Sequence, residues 1–472
     1  MELYEIFCAG RFLRTATPLE IRSPYDQDLV GRTWLAGHAE YEMAVGAALA
    51  IRHRLLSQPA HERSAILMNL VELMKTDREV LARLIALEAA KPVRYAFGEV
   101  DRAIQTFFVA AEEARRIGGE YLGLDWTPAG NRKEGLVKWF PAGVVGGIAP
   151  FNFPLNLASH KLGPAIASGC PVILKPSTRT PLSVLHLARL MHDAGVPEGA
   201  VSILPMDRRT GDLLVTDYRL AVLSFTGSPA VGWDMKARAG RKKVVLELGG
   251  NAGVIVDEIA DPDMAAIKCL SGAFAYSGQV CIHTQRIFVH RSIFRQFTEV
   301  LVNETAGLKQ GNPMDIQTDI SAMIDEANAI RVEDWIGEAV GGGARILAGG
   351  NRKGSYMEPT ILTGTRQDMK VCGLEVFGPV VCVEPYDGFD EAVRLVNNGR
   401  YGLQAGVFTD SLAVMNQAFE QLEVGGVIIN DVPTFRVDHM PYGGVKESGS
   451  GREGVRYAMQ DMMEPRLLVK PF

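Results

Sequence analysis

Apolar positions recur at helical spacing through residues 40–117, where Ala, Leu, Glu, Arg and Met dominate and Leu67, Leu70, Val71 and Met74 share one face. Pro59 is placed to open one helix, and Lys91-Pro92 marks a break before another. The pattern then changes. Gly118-Gly119, Pro128 and Gly130 punctuate alternating stretches, and residues 136–140 alternate apolar with polar, which predicts a hairpin or a pair of exposed strands. From residue 143 short apolar runs alternate with helical segments. The runs 144–149, 172–174, 201–204, 220–225 and 244–246 read as strands, with helices over 181–194 and 229–239. A second set of strands falls at 251–256, 287–289, 344–347 and 380–383, and the last two at 427–429 and 467–469. Strands alternating with helices of this length predict parallel βαβ units in doubly wound sheets.

At 472 residues the chain is too long for one ordinary core, and length alone suggests roughly two to four domains. Hydrophobic residues make up 47% and charged residues 22%, a globular rather than a disordered balance. The net charge of −6 is not offset by any basic block, which excludes nucleic acid as the expected partner. Residues 1–10 lack the basic start and apolar stretch of a signal peptide, and no apolar run approaches the ~18–20 residues that span a bilayer. The six cysteines, at 8, 170, 269, 281, 372 and 382, show no C-x-x-C spacing; free thiols, no metal site and a cytoplasmic setting are the expectation.

Several segments carry candidate chemistry. Cys281 follows a Gly-containing stretch and precedes the strand at Ile287, where a thiol could face a cleft; taken alone, an isolated Cys reads rather as a small buried hydrophobe. Glu247 sits in an apolar strand that ends in Gly249-Gly250. Either it faces water at a strand edge, or it faces a closed cleft in which desolvation raises its pKa and poises it as a general base. Asn152, between Phe151 and Phe153, could donate its amide to an oxyanion or cap the following helix. Lys175 closes a strand, where open α/β sheets bind nucleotides, and Gly227-Ser228 begins a helix whose N–H groups could cradle a phosphate. No strand is followed by G-x-G-x-x-G, so the usual dinucleotide fingerprint is absent.

Taken together, and in this order, the runs 150–154 (PFNFP), 174–176 (LKP), 225–228 (FTGS), 246–250 (LELGG), 278–281 (GQVC), 375–379 (EVFGP) and 441–449 (PYGGVKESG) resemble the aldehyde dehydrogenase superfamily from about residue 10 to the C-terminus. The branch they are similar to is that of lactaldehyde and non-phosphorylating glyceraldehyde-3-phosphate dehydrogenases. The resemblance implies two Rossmann-type doubly wound α/β domains and a small β element. Residues 1–118 and 140–248 would form the dinucleotide-binding domain, 249–440 the catalytic domain, and 119–139 with 455–472 the oligomerisation element of a homodimer or homotetramer. It also accounts for the missing glycine fingerprint.

The implied reaction is NAD- or NADP-dependent oxidation of a small aldehyde to the free acid. Cys281 would attack the carbonyl, with the Asn152 amide and the Cys281 N–H holding the oxyanion, and Glu247 would activate the water that hydrolyses the thioester. Glu375 would hold the nicotinamide ribose, Phe377 would pack by the nicotinamide, Lys175 would contact the adenosine ribose, and Gly227 and Ser228 would lie by the pyrophosphate. Members restricted to NAD often carry Glu three residues after the lysine. Thr178 stands there in this chain, so acceptance of NADP is expected, since threonine does not repel a 2′-phosphate. Arg102 falls where the branch can place an anion-binding arginine, though it reads equally as a solvated helical residue. His283 either lines the aldehyde tunnel or faces a neighbouring strand. Val280 stands where phosphate-using relatives can carry Arg, against a phosphorylated substrate. A CoA-acylating enzyme and a catalytically retired scaffold are the competing readings; retention of Glu247 speaks against the first, and of Cys281, Glu247 and Asn152 together against the second.

Overall fold

The helical expectation for residues 40–117 resolves into four helices, His38–Ser57, Ala60–Thr76, Arg78–Ala89 and Val93–Ala114, in a computed structural model that describes residues 2–471. Pro59 caps the second helix, and the third ends at Ala90 in a left-handed conformation (φ 49°) just before Lys91-Pro92. Leu67, Leu70, Val71 and Met74 are buried, as their spacing requires. In Val93–Ala114 half of the buried face is alanine, at 96, 103, 110, 111 and 114. Small side chains let this helix lie close against Pro154–Ser168, a helix buried along its whole length that begins at Pro154 and stops at the left-handed Gly169.

The first sheet has eight strands, in spatial order Arg11–Leu13, Ile6–Cys8, Val201–Ile203, Val172–Lys175, Val144–Ile148, Leu220–Thr226, Lys243–Glu247 and Gly449–Ser450. The five strands from Val201–Ile203 to Lys243–Glu247 are parallel, with antiparallel strands at both edges. From Val144–Ile148 the chain winds outward through Val172–Lys175 and Val201–Ile203, then returns to the other side at Leu220–Thr226. That reversal makes a topological switch point between Val144–Ile148 and Leu220–Thr226, and an open sheet binds ligands in the crevice beyond the strand ends there. Four of the expected site residues lie at this rim: Asn152 follows one central strand, Gly227 follows the other, and Lys175 and Glu247 are the last residues of their neighbours.

The second sheet runs Arg345–Ala348, Thr360–Thr363, Val380–Tyr386, Thr284–His290, Ala252–Val256, Gln404–Phe408 and Gly426–Ile429, parallel except for the first strand. The expected hairpin is present as Gly119–Gly123 and Lys133–Pro141, and the C-terminal strand Met463–Pro471 pairs antiparallel with the latter along its whole length. This small sheet exposes Tyr121, Leu136, Leu467, Leu468 and Val469.

The hydrophobic pattern did not reveal the N-terminal strands Ile6–Cys8, Arg11–Leu13, Pro18–Arg22 and Leu29–Trp34. The first two are three residues long, too short for alternation to register, and Phe7 finds its partner at Ile203. Among the described residues no helix is long and apolar enough to cross a membrane.

Candidate active site

A cavity of about 450 Å³ opens at the switch point. Cys281, Glu247 and Asn152 line it together with Gly227, Ser228, Glu375 and Phe377, so seven of the sequence-predicted residues share one space. The two glycines after Glu247 make the meeting possible. A Cβ on Gly250 would stand 2.1 Å from the Cys281 carbonyl oxygen, and one on Gly249 would stand 2.1 Å from Glu375 Oε2. Only bare backbone lets the end of Lys243–Glu247 approach both segments.

Cys281 is one of six free cysteines and the only one not fully buried. It follows a tight turn in which Tyr276 and Ser277 take left-handed conformations (φ 50° and 52°). Strain of that kind persists where surrounding structure enforces it, commonly at functional sites. Burial of the thiol pushes its pKa up to about 11, opposed by Tyr442 Oη at 3.0 Å from Sγ and by the charge of Arg436. At rest the group is a thiol, and a partner must take its proton for attack.

Glu247 is 3% exposed, and neither carboxyl oxygen has a hydrogen-bond partner. This rules out a strand-edge carboxylate facing water. Burial, then the nearby Glu453 charge, raises its pKa well above the ordinary carboxylate range. A buried charge cluster surrounds it. Lys161 Nζ donates to Ser224 Oγ at 3.0 Å and Thr226 Oγ1 at 2.8 Å and lies 3.4 Å from Glu453 Oε1. Arg436 donates to Glu453 Oε2 at 3.0 Å and stacks 3.7 Å from the centre of the Tyr442 ring, while its Nε–H, also buried, has no partner. Burial works to raise Glu453, but Lys161 and Arg436 hold it down to about 2.

Asn152 does not cap the next helix; Phe153 occupies that position. Its Nδ2 donates to the Gln279 carbonyl at 3.0 Å, which uses one of the two amide hydrogens and leaves the other for the cavity. The Cys281 N–H has no acceptor among the described residues. Two donors with capacity to spare thus belong to residues that line the cavity, the kind of group that can stabilise an oxyanion.

On the outer side Glu375 Oε1 accepts from the Gly250 N–H at 3.0 Å, and enclosure pushes its pKa to about 7. Phe377 holds a positive φ of 48° and its ring meets Phe151 edge-on at 5.8 Å. Ser228 is the N-cap of Pro229–Arg238 and makes no side-chain cap, so the first N–H groups of that helix stay open for an anion. An aromatic wall, a carboxylate fit for a ribose hydroxyl pair and an open helix terminus together fit a nicotinamide dinucleotide. Among the described residues no group of three His, Cys, Asp or Glu side chains is placed to hold a metal ion.

The remaining predicted residues lie outside this cavity. Lys175 sits at the C-terminal end of its strand with its side chain laid across Gly211, where a Cβ would stand 2.7 Å from Cδ and Cε. Thr178 lines a neighbouring groove of about 1000 Å³, and the adjacent Arg179 pairs with Asp325 at 3.3 Å. Arg102 is not simply solvated. It makes a two-pronged contact with Asp438, at 2.7 and 3.2 Å, and Asp438 is also held by His160 Nε2 at 2.8 Å. His283 is buried and absent from the cavity lining, and burial depresses its pKa to about 4.

Tyr442, Arg436, Lys161 and Glu453 escaped the sequence reading. Tyr442 lies within the 441–449 run that carried the resemblance, and Lys161 is a lone cation in a helix buried throughout, which is itself a signal.

Residues 13–468 match the profile of the aldehyde dehydrogenase family. The chain is 43% identical to 3-sulfolactaldehyde dehydrogenase of Priestia aryabhattai over 467 residues, 99% of this chain and 98% of that protein. Among solved structures, aldehyde dehydrogenase 21 from Physcomitrella patens, in complex with the reaction product succinate, superposes with a TM-score of 0.98 at 45% identity, covering 100% of this chain and 98% of that one. An NADP-dependent glyceraldehyde-3-phosphate dehydrogenase from Bacillus halodurans C-125, complexed with NADP, superposes at 0.96 with 34% identity and full coverage of both chains.

Proposed function

The chain belongs to the aldehyde dehydrogenase family and is an NAD(P)-dependent aldehyde dehydrogenase, and from that premise we propose that it oxidises a small anionic aldehyde to the free acid through a thioester on Cys281. The observation that carries this reading is the Glu247 carboxyl, buried, unpartnered and in the same cavity as the thiol and the Asn152 amide.

Cys281 Sγ adds to the aldehyde carbon, and its proton passes to a neighbouring base. The Asn152 amide and the Cys281 N–H hold the oxygen as it gains charge; loss of one such donor typically costs roughly 2.7–4 kcal/mol of transition-state stabilisation. Once that proton has left, Tyr442 Oη, 3.0 Å from Sγ, is placed to donate to the sulfur and to favour the thiolate. Glu375 and Phe377 would hold the nicotinamide end of the dinucleotide, Gly227 and Ser228 its pyrophosphate, and Lys175 with Thr178 its adenosine ribose; bound there, it would supply the acceptor for the hydride. Glu247 then takes a proton from the water that attacks the thioester, releasing the acid and restoring the thiol. Its raised pKa suits a group that must both take up and give back a proton.

An anionic substrate is supported by Arg436, whose buried Nε–H lacks an acceptor beside the tyrosine that touches Cys281, and by Arg102 near it across Asp438. The similar proteins named above handle a sulfonated aldehyde, a dicarboxylate product and a phosphorylated aldehyde. The exposed apolar residues of the small sheet support its use as a subunit contact in a homodimer or homotetramer, and six free thiols suit a reducing cytoplasm. Product analysis with succinate semialdehyde, with and without CoA, tests the reaction. Free acid in both cases is expected; CoA-dependent acyl transfer would overturn hydrolysis.

A further inference from the structure

Lys91 is fully buried, as is its partner Glu99, and neither belongs to the cavity that holds the chemistry. Two charges out of water cost several kcal/mol each, and a hydrophobic pair of similar volume is often no less stable. The pair therefore calls for a use other than stability.

Its contacts point to one. Lys91 Nζ donates to Glu99 and to the backbone carbonyl of Asn152 at 2.6 Å. The same ammonium sits 3.8 Å from the centre of the Phe153 ring and 4.3 Å from that of Tyr276. Glu99 Oε1 accepts from the N–H groups of Leu155 and Asn156, at 2.9 and 3.2 Å, and so fixes the first turn of the helix that follows Asn152. Tyr276 belongs to the left-handed turn before Cys281, and its Oη donates to Ala89 O at 3.1 Å, two residues from Lys91. One ammonium thus grips two segments of different origin. One, at 152–156, leaves the first sheet; the other, at 276–281, leads into the second. Among the described residues, the Asn152 amide bonded to Gln279 O is the one hydrogen bond that joins these two segments directly.

We propose that Lys91, held by Glu99, is a positioning residue that sets the separation between the two oxyanion donors, the Asn152 amide and the Cys281 N–H. The inference rests on the reading of those donors given above. The geometry explains why the pair is ionic. The ammonium donates to a carboxylate and a carbonyl and lies over two rings at once, and no apolar side chain can bind the Asn152 carbonyl. An oxyanion site tolerates displacement of only about 0.5 Å before its donors lose effect.

The test is a cycle of variants read by the pre-steady-state burst of reduced cofactor with succinate semialdehyde. Lys91→Met/Glu99→Gln removes both charges, so no charge is left buried and unpaired, and it takes the donor away from the Asn152 carbonyl. It should slow the burst about tenfold and slow thioester hydrolysis in the same direction, since that step also passes through an oxyanion, while leaving the affinity for NADP close to wild type. Asn152→Ala should slow the burst more, and adding the Lys91→Met/Glu99→Gln pair to it should have no further effect, because the same donor is already lost. Multiplying effects, or an unchanged burst in the charge-free variant, would overturn the positioning role. An unchanged burst in Asn152→Ala would instead overturn the underlying reading of Asn152. Should the charge-free variant not fold, Lys91→Arg with Glu99 kept, which retains the ion pair but changes where the cation reaches, supplies the same comparison in both backgrounds.

Discussion

Tyr442 Oη stands 3.0 Å from Cys281 Sγ, across 161 positions of sequence, and the Arg436 guanidinium stacks on the same tyrosine ring at 3.7 Å from its centre. The hydroxyl opposes the burial that raises the thiol, and a hydrogen bond to a charged group is worth ~1.5–3 kcal/mol. Tyr442→Phe should therefore move the thiol further up and slow acylation roughly 10- to 100-fold at neutral pH. Iodoacetamide labelling of Cys281 against pH measures the shift; a labelling profile identical to wild type would remove Tyr442 from thiolate stabilisation.

The two arginines differ in what they have left to give. Arg102 is engaged by Asp438, whereas Arg436 keeps an unpartnered Nε–H. Arg436→Lys preserves the charge beside Glu453 but loses the fork of donors. It should raise KM for succinate semialdehyde about tenfold and leave a neutral aldehyde such as propanal unaffected. Arg102→Ala should act in the same direction and more weakly. Equal changes for both aldehydes would show that neither arginine reads the anion.

Thr178 lies outside the reaction cavity, with Arg179 beside it and no carboxylate of its own to repel a 2′-phosphate. NADP should give kcat/KM at least comparable to NAD, and Thr178→Glu should shift preference towards NAD by charge repulsion. A wild-type enzyme that ignores NADP would contradict this assignment.

His283 bears on stability rather than on the aldehyde. Its folded pKa of about 4 lies below the unfolded value of about 6.5, so the unfolded chain takes up the proton first as pH falls. Stability is complete above about pH 6.5 and declines between there and pH 4, by up to about 3 kcal/mol from this group. His283→Phe should flatten the dependence of the thermal midpoint on pH in that window. An unaltered slope would mean that other groups set the acid limit.

Much of this site was legible because its chemistry sits in short local runs. Asn152, Glu247, Cys281, Glu375 and Phe377 each stand in a distinctive setting of Gly, Pro and aromatic residues, and all five converge. The strand–helix alternation was equally readable, since burial on both faces makes parallel strands continuous apolar runs. What stayed hidden were pairings between distant positions. Nothing in the segment around Arg102 announces Asp438, 336 residues away, and nothing near Lys91 announces the Asn152 carbonyl. His283 follows the nucleophile by two residues yet is buried outside the cavity, immediately before the strand Thr284–His290.

Glu247 separates acylation from deacylation. Only its deprotonated form can take a proton from water, so where hydrolysis limits turnover, kcat should rise with pH through the raised pKa that burial and Glu453 impose. Glu247→Gln preserves volume but cannot act as a base. Attack by Cys281 and hydride transfer should still occur once per site, provided the thiol can shed its proton elsewhere. Hydrolysis should then stall, since general-base assistance is typically worth ~10²–10⁴-fold. The signature is a burst of reduced cofactor close to one per active site, a slow steady state with no remaining rise in kcat from this group, and an acyl adduct on Cys281 visible by mass spectrometry. Loss of the burst itself would assign Glu247 to thiol activation as well. Normal turnover in the variant would remove it from the mechanism and leave its buried, unpartnered carboxyl without a role.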